Sequence, residues 1–86
     1  MYNFISDPGH GWLEVTRQEL ERLGILNQIT GCSFQKGGLV YLEEDCDAPR
    51  FLDAKENAGE KVDSKLIREI IGNGESIIRT YDHFRS

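Results

Sequence analysis

The segment from Lys36 to Cys46, KGGLVYLEEDC, constrains the fold of this chain more than any other. Its Gly37-Gly38 pair is typical of a tight turn between two strands, because glycine adopts positive φ without strain. The apolar run Leu39 to Leu42 that follows is typical of a buried strand. Four acidic residues come next, namely Glu43, Glu44, Asp45 and Asp47. The segment therefore predicts the middle strand of a small sheet, with negative charge concentrated where the strand ends.

The N-terminal part of the chain predicts a hairpin. Tyr2 to Ser6 alternates and is rich in aromatic and β-branched residues, as expected of a strand. The sequence DPGHG from Asp7 to Gly11 is typical of a turn, since proline fixes φ and glycine permits unusual φ. Trp12 to Val15 then predicts a second strand, which we expect to pair with the first.

Two short helices are predicted from their start signals. Thr16 and Glu19 have the spacing of a capping box, so we expect a helix over residues 17–23 that ends at Gly24. Asp47 can cap a second helix, because Pro49 falls in its first turn, where a missing N–H does no harm. Phe51 of that helix is expected to face the core.

Of the three remaining segments, two predict strands and one is compatible with either a strand or a helix. Residues 32–35 are expected to form a third strand, before the glycine turn. Residues 65–71 have apolar spacing that suits a helix and β-branched content that suits a strand, so both remain open. Residues 76–84 predict a last strand at the sheet edge, where an unpaired strand would also allow a homodimer.

Together these segments predict one α+β domain over residues 1–86. We expect a small, mainly antiparallel sheet of four to five strands with two short helices on one face. A chain of 86 residues has a small core, so a binding surface is favoured over a deep catalytic pocket.

Charge and cysteine content narrow the function classes. Fifteen acidic residues against ten Lys and Arg give a net charge of −5, which argues against direct nucleic-acid binding and favours a basic protein partner. Two cysteines, Cys32 and Cys46, are too few for a disulfide scaffold, and nothing in the sequence resembles a signal peptide or a membrane-spanning run. These features predict a cytoplasmic protein with reduced thiols.

The candidate functional residues are the acidic cluster and the turn before the second strand. The four carboxylates are compatible with a solvated rim, a divalent cation or the Arg and Lys side chains of a partner. We predict the partner-binding role, with His10 and Trp12 as a local anchor. The residues predicted to bind a partner are therefore Glu43, Glu44, Asp45, Asp47, His10 and Trp12. No catalytic residue, metal site or cofactor is predicted.

Two other functions remain as alternatives. DPGHG is similar to the start of zinc-dependent peptidoglycan amidases, which suggests a small enzyme or enzyme subunit using His10. The other histidine is His83, near the C-terminus, and the remaining ligands that a catalytic zinc requires do not follow at that family's spacing. Arginines and aromatic residues interleave over residues 79–85, which suggests a regulator linked to nucleic acid.

Three strings carry a resemblance to a known group of proteins: FISDPGHGWLEV (4–15), GGLVYLEEDCDAPRFL (37–52) and ESIIRTYDHF (75–84). They resemble small accessory proteins encoded by bacterial phages, plasmids and other mobile elements. The resemblance implies a protein acting inside a bacterial host, where it binds and modulates a host protein or nucleoprotein complex. An inhibitor of a defence system, of the anti-CRISPR type, is one concrete member of that class, since such complexes have basic channels.

Overall fold

Six strands form one sheet, and two helices pack against it. The computed structural model describes the whole chain, residues 1–86. The strands are β1 (Tyr2–Ser6), β2 (Gly11–Thr16), β3 (Phe34–Lys36), β4 (Leu39–Glu43), β5 (Ile67–Ile71) and β6 (Asp82–His83). The helices are α1 (Arg17–Arg22) and α2 (Ala48–Asn57), and 3₁₀ segments lie at Leu26–Gln28, Ser64–Leu66 and Ile77–Thr80. Neither helix has the length and apolar content that crossing a bilayer would require.

The strand order is β5-β1-β2-β4-β3-β6, so β2 and β4 occupy the centre of the sheet. All neighbours are antiparallel except β1 and β5, which are parallel. The predicted α+β fold with a mainly antiparallel sheet and two helices is therefore confirmed. The sheet has six strands rather than the four or five that we expected.

The main core lies between the sheet and the two helices. Because side chains alternate along a strand, Leu13 and Val15 of β2 point to the same face as Val40 and Leu42 of β4. Phe51 of α2 is fully buried against this face. Other residues buried in the same cluster are Leu20, Ile25, Ile29, Ala48 and Phe84. Both helices thus contribute to one face, as predicted.

A smaller core lies on the opposite face of the sheet. Trp12 of β2 and Tyr41 of β4 are buried there beneath Ile78 of the C-terminal 3₁₀ segment. Partly buried residues complete this cluster, namely Ile5, Phe34, Leu39 and Tyr81. The central strands β2 and β4 are consequently covered on both faces.

The start of α1 differs in one respect from the predicted capping box. Thr16 Oγ1 accepts a hydrogen bond from the Glu19 backbone N–H at 3.1 Å, as expected. The Glu19 carboxylate does not reach back to the cap. It accepts hydrogen bonds from Lys55 Nζ at 2.9 Å and from Tyr2 Oη at 3.0 Å, which ties α1 to α2 and β1. The pKa of Lys55 is raised, chiefly by its hydrogen bond to Glu19.

The C-terminal third settles one open alternative and corrects one prediction. Residues 67–71 are a strand, since they pair in parallel with β1. The predicted strand over residues 76–84 is wrong for most of its length. Ser76 Oγ accepts from Ile78 N at 3.2 Å, and the resulting 3₁₀ turn directs Ile78 into the smaller core. Only Asp82–His83 pairs with β3, so the longer free edge is β5 rather than the C-terminal segment.

The main core predicts the effect of removing its central aromatic ring. Replacing Phe51 by Ala should lower the free energy of unfolding by about 3–5 kcal/mol, because it leaves a cavity between α2 and the sheet. Ile77 is 67% exposed, so Ile77→Ala should change stability by less than about 0.5 kcal/mol. Urea unfolding of the three proteins measures both values. Equal losses in the two variants would contradict this description of the core.

Candidate functional site

Pairing between β2 and β4 brings the DPGHG turn and the acidic cluster to the same end of the sheet. The strands are antiparallel, and Trp12 lies opposite Glu43 in their register. The pairing continues past the end of β4, where the Glu44 backbone N–H donates to the Gly11 carbonyl at 3.0 Å. The first residues of β2 are therefore neighbours of the acidic residues that follow β4, although about thirty positions separate them in the sequence.

Gly11 has close neighbours at this junction, all of them side-chain atoms. A Cβ atom at this position would overlap the Phe4 ring and crowd the Glu44 carboxylate. A glycine at the start of β2 therefore allows β1, β2 and the end of β4 to approach closely.

Asp7 fixes the DPGHG turn to the C-terminal segment. Its carboxylate accepts hydrogen bonds from the backbone N–H groups of Gly9, His10 and Ser76, at 3.0, 2.9 and 2.9 Å. It also accepts from Arg79 through Nε at 2.7 Å and Nη2 at 2.9 Å. The Arg79 guanidinium, helped by these N–H groups, holds the pKa of Asp7 well below its usual range. Asp7 and Arg79 therefore clamp the DPGHG turn to the C-terminal segment. The sequence indicated Arg79 only as part of the nucleic-acid alternative and not as a residue of this site.

Three of the four predicted carboxylates lie together. Oxygen atoms of Glu43, Glu44 and Asp45 are all within 4.8 Å of one another. Glu43 is partly buried, and its Oε1 accepts from the Asp45 backbone N–H at 2.9 Å. Its Oε2 is 3.5 Å from His10 Nδ1, so His10 borders this acidic cluster, as we call Glu43, Glu44 and Asp45 from here on.

The acidic cluster has no Lys or Arg counterion within the molecule. The ion pairs of this protein that use Lys or Arg join Arg22 and Lys55 to Glu19 and Glu60, and Arg79 to Asp7. Those carboxylates serve the fold, whereas the three of the acidic cluster are balanced only by His10 when it is protonated. The cluster therefore retains its capacity to bind positive charge.

Asp47 does not belong to this surface, which corrects the prediction. Its side chain is fully buried and accepts from Ser33 Oγ at 2.6 Å and Thr30 Oγ1 at 2.9 Å. The Thr30 backbone N–H also donates to it, at 3.1 Å. Asp47 precedes α2 as predicted, but its carboxylate makes no capping hydrogen bond to that helix. It holds the turn before β3 against the start of α2.

Trp12 is not an exposed anchor, which corrects a second prediction. Only 1% of its surface is accessible, because Tyr41 and Ile78 pack against it. The Arg79 guanidinium lies 5.6 Å from the centre of its ring. The indole Nε1 is buried and has no hydrogen-bond partner. Trp12 is therefore part of the smaller core, and His10 is the more exposed of the two residues predicted as an anchor.

Two concave regions adjoin the acidic cluster. The first, which we call the histidine hollow, has a volume of about 300 Å³. It is lined by His10, Trp12, Cys32, Phe34, Glu43 and Arg79. The side chain of His10 is 51% exposed here, within reach of a bound group. Three predicted site residues, His10, Trp12 and Glu43, thus meet in one place.

The second region, which we call the apolar groove, has a volume of about 270 Å³ on the other side of Glu44. Its floor is apolar, and its carboxylates are those of Glu44 and Glu69. The apolar residues that line it are Phe4, Leu13, Ala48, Leu52 and Ile67. The acidic cluster therefore borders a surface that can accept methylene groups.

The largest concave region lies elsewhere, between α1 and α2, with a volume of about 560 Å³. Its walls include Arg22, Arg50 and Asp53, but it is wide open to solvent. Arg22 is already engaged by Glu60 at 2.9 Å. None of the predicted site residues lines this region, and it does not adjoin the acidic cluster, so we do not assign the site to it.

The acidic cluster is also the one group of side chains in the protein spaced to hold a metal ion. Carboxylate oxygens are the ligands that Mg²⁺ and Ca²⁺ prefer. Glu44 and Asp45 are exposed, however, and clustered acids at a surface are common without an ion. The spacing alone does not assign a metal.

Comparisons with family models, with curated proteins and with solved structures gave no match to this chain. The assignment of the site therefore rests on its own geometry and chemistry.

The Asp7 clamp predicts a particular dependence of stability on pH. A carboxylate whose pKa is lowered by folding stabilises the protein above about pH 4, and this contribution is lost as the pH falls below that value. Asp7→Asn should therefore lower the urea midpoint at pH 7. It should also flatten the decline of the midpoint between about pH 4 and pH 2.

Asp53 provides the matched control, because it is exposed and makes no ion pair. Asp53→Asn removes the same charge as Asp7→Asn but breaks no contact of this kind. The control should follow the native profile. A decline below pH 4 that is as steep in Asp7→Asn as in the native protein would contradict the clamp.

Proposed function

We propose that this protein is a non-enzymatic binding module that engages a basic surface of another macromolecule through its acidic cluster. Glu43, Glu44 and Asp45 would receive Arg or Lys side chains, and His10 would contact the partner beside them. The observation that carries the proposal is that these three carboxylates are close together without a Lys or Arg counterion of their own.

The electrostatics of the cluster support a cationic partner. Like charges held within 4.8 Å of one another repel, and a guanidinium placed between them relieves that repulsion. Arginine is especially suited, because its planar fork donates two parallel hydrogen bonds to a carboxylate. The net charge of −5 adds a long-range field that steers a basic surface toward the protein.

The apolar groove supports the same choice of partner. Lys and Arg carry long methylene stems, which gain by covering apolar surface while the charged end stays at a polar rim. Phe4, Leu13 and Leu52 provide such a surface next to the Glu44 carboxylate. A Lys or Arg side chain that lies across this groove would therefore cover the apolar floor with its methylene groups and place its charge at the Glu44 carboxylate.

The class of partner follows from the resemblance to accessory proteins of bacterial mobile elements. On that basis the basic surface belongs to a host protein or nucleoprotein complex, which this protein would bind and modulate inside the bacterial cell. Inhibition of a defence complex by covering a nucleic-acid channel is one form this would take, since such channels are lined with positive charge.

The arrangement of side chains supports the two alternative functions less well than it supports a binding module. A nucleic-acid regulator would need its C-terminal basic residues free, but Arg79 is held by Asp7 and Phe84 is buried in the main core. A zinc enzyme built on DPGHG would need further metal ligands around His10, but Asp7 of that turn is committed to the clamp and the one group of side chains spaced to hold a metal ion does not include His10. The carboxylate surface therefore remains the proposal.

Neutralising the acidic cluster tests the proposal directly. The variant Glu43→Gln, Glu44→Gln, Asp45→Asn keeps side-chain size and removes three negative charges. A partner captured from bacterial lysate by the native protein should bind this variant at least about tenfold more weakly, a loss of about 1.4 kcal/mol. The affinity of the native protein should fall as salt is raised, because the contacts are ionic.

A control variant with the same charge change separates local contact from net charge. Glu21, Asp53 and Glu56 are exposed and lie on the two helices, so Glu21→Gln, Asp53→Asn, Glu56→Gln should retain most of the affinity. If both variants lost affinity equally, the effect would come from net charge and not from contact with the acidic cluster. Full affinity in the acidic-cluster variant would overturn the proposed function.

A further inference from the structure

We infer that Cys32 and Cys46 form a pair of thiols that a hydroperoxide converts reversibly to an intramolecular disulfide. Cys32 lies in the turn before β3 and is exposed, and Cys46 lies between β4 and α2 and is partly buried. Nothing in the sequence brings these two residues together, because thirteen positions lie between them.

Hydrogen bonds of neighbouring residues hold the two cysteines side by side. The residue after each cysteine is bonded to the residue after the other, since Ser33 Oγ donates to Asp47 Oδ2 at 2.6 Å. Thr30 contacts both cysteines through one atom. Its Oγ1 accepts from the Cys32 backbone N–H at 3.2 Å and lies 3.4 Å from Cys46 Sγ.

The Thr30 hydroxyl oxygen bridges the two cysteines, because it lies within hydrogen-bond distance of both the Cys32 backbone N–H and the Cys46 sulfur. Buried Asp47 fixes the surrounding segments, as it accepts from both the N–H and the hydroxyl of Thr30. The segments that carry the two cysteines are thus held side by side through Thr30, Ser33 and Asp47. Oxidation would require only a local adjustment of side chains.

The order of the chemical steps follows from exposure. The Cys32 thiolate attacks one oxygen of hydrogen peroxide, the O–O bond breaks, and the leaving hydroxide takes up a proton to become water. This step leaves a sulfenic acid on Cys32. The Cys46 thiolate then attacks Cys32 Sγ, which forms the S–S bond and releases hydroxide that is protonated to a second water. Two thiols are oxidised by two electrons, and one peroxide is reduced to two waters.

The environment of Cys46 suits the second step rather than the first. The hydrogen bond with Thr30 lowers its pKa, but the Cys32 thiol, partial burial and the Asp47 charge outweigh this and raise the pKa above its ordinary value. Because only the thiolate attacks, disulfide formation should accelerate as the pH rises. Cys46 is less exposed than Cys32, so we expect it to react after Cys32 has been oxidised.

The location of the bond links it to the surface described above. Cys46 directly follows Asp45 of the acidic cluster, and Cys32 lines the histidine hollow. A disulfide would join these two parts of the surface covalently. An effect on partner binding would rest on the proposed function, whereas formation of the disulfide does not.

Intact-mass measurement after treatment with hydrogen peroxide tests the inference without any partner. The native protein should lose two hydrogen atoms as a monomer, and peptide mapping should join Cys32 to Cys46. Dithiothreitol should restore both thiols. The oxidised monomer should also have a higher urea midpoint, because the bond restricts the unfolded chain.

Single substitutions separate the two roles. In Cys46→Ser the reaction should stop at the sulfenic acid, which dimedone would trap on Cys32. In Cys32→Ser, Cys46 should remain largely a thiol over the same time. The inference would be overturned if native protein accumulated sulfinic acid or intermolecular dimers with no internal disulfide, or if Cys46 reacted as readily without Cys32.

Discussion

The antiparallel pairing of β2 with β4 is the constraint on which the rest of this protein depends. It places the first residues of one central strand beside the last residues of the other, with Trp12 opposite Glu43. Both strands are covered on two faces, by the helices and by the C-terminal segment. Because a shift of one residue would exchange the two faces, the register is strongly specified by these apolar side chains. The position of the acidic cluster beside the DPGHG turn is a consequence of that register.

The acidic residues divide into those that serve the fold and those that do not. Asp7 ties a turn to the C-terminal segment, Asp47 ties a turn to the start of α2, and Glu19 joins both helices to β1. Each of these carboxylates receives several donors, as buried or partly buried charges require. Glu44 and Asp45 remain exposed beyond the end of β4, with Glu43 partly buried next to them. These three carboxylates are close together and have no Lys or Arg counterion, which is the physical basis of the proposed function.

Local patterns predicted most of the elements, and tertiary contacts decided the rest. The strand at Leu39–Glu43 and the helix after Thr16 followed from turn and cap residues, which act over a few positions. Residues 67–71 could not be assigned, because their strand depends on pairing with β1 from the other end of the chain. In place of the strand expected over residues 76–84 the chain forms a 3₁₀ turn, which packs Ile78 against Trp12. Asp47 looked like part of an acidic run, and only the distant hydroxyls of Thr30 and Ser33 show why it points inward.

The central claim is that the acidic cluster and His10 together form a surface for positively charged side chains. Titration of ¹⁵N-labelled protein with an arginine-rich peptide, followed by amide chemical shifts, measures where such side chains bind. We expect saturable shift changes that are concentrated in residues 9–12 and 43–46 and that weaken as salt is raised. Saturable binding that leaves residues 43–46 unchanged and instead shifts the amides of β5 or of the helices would contradict it.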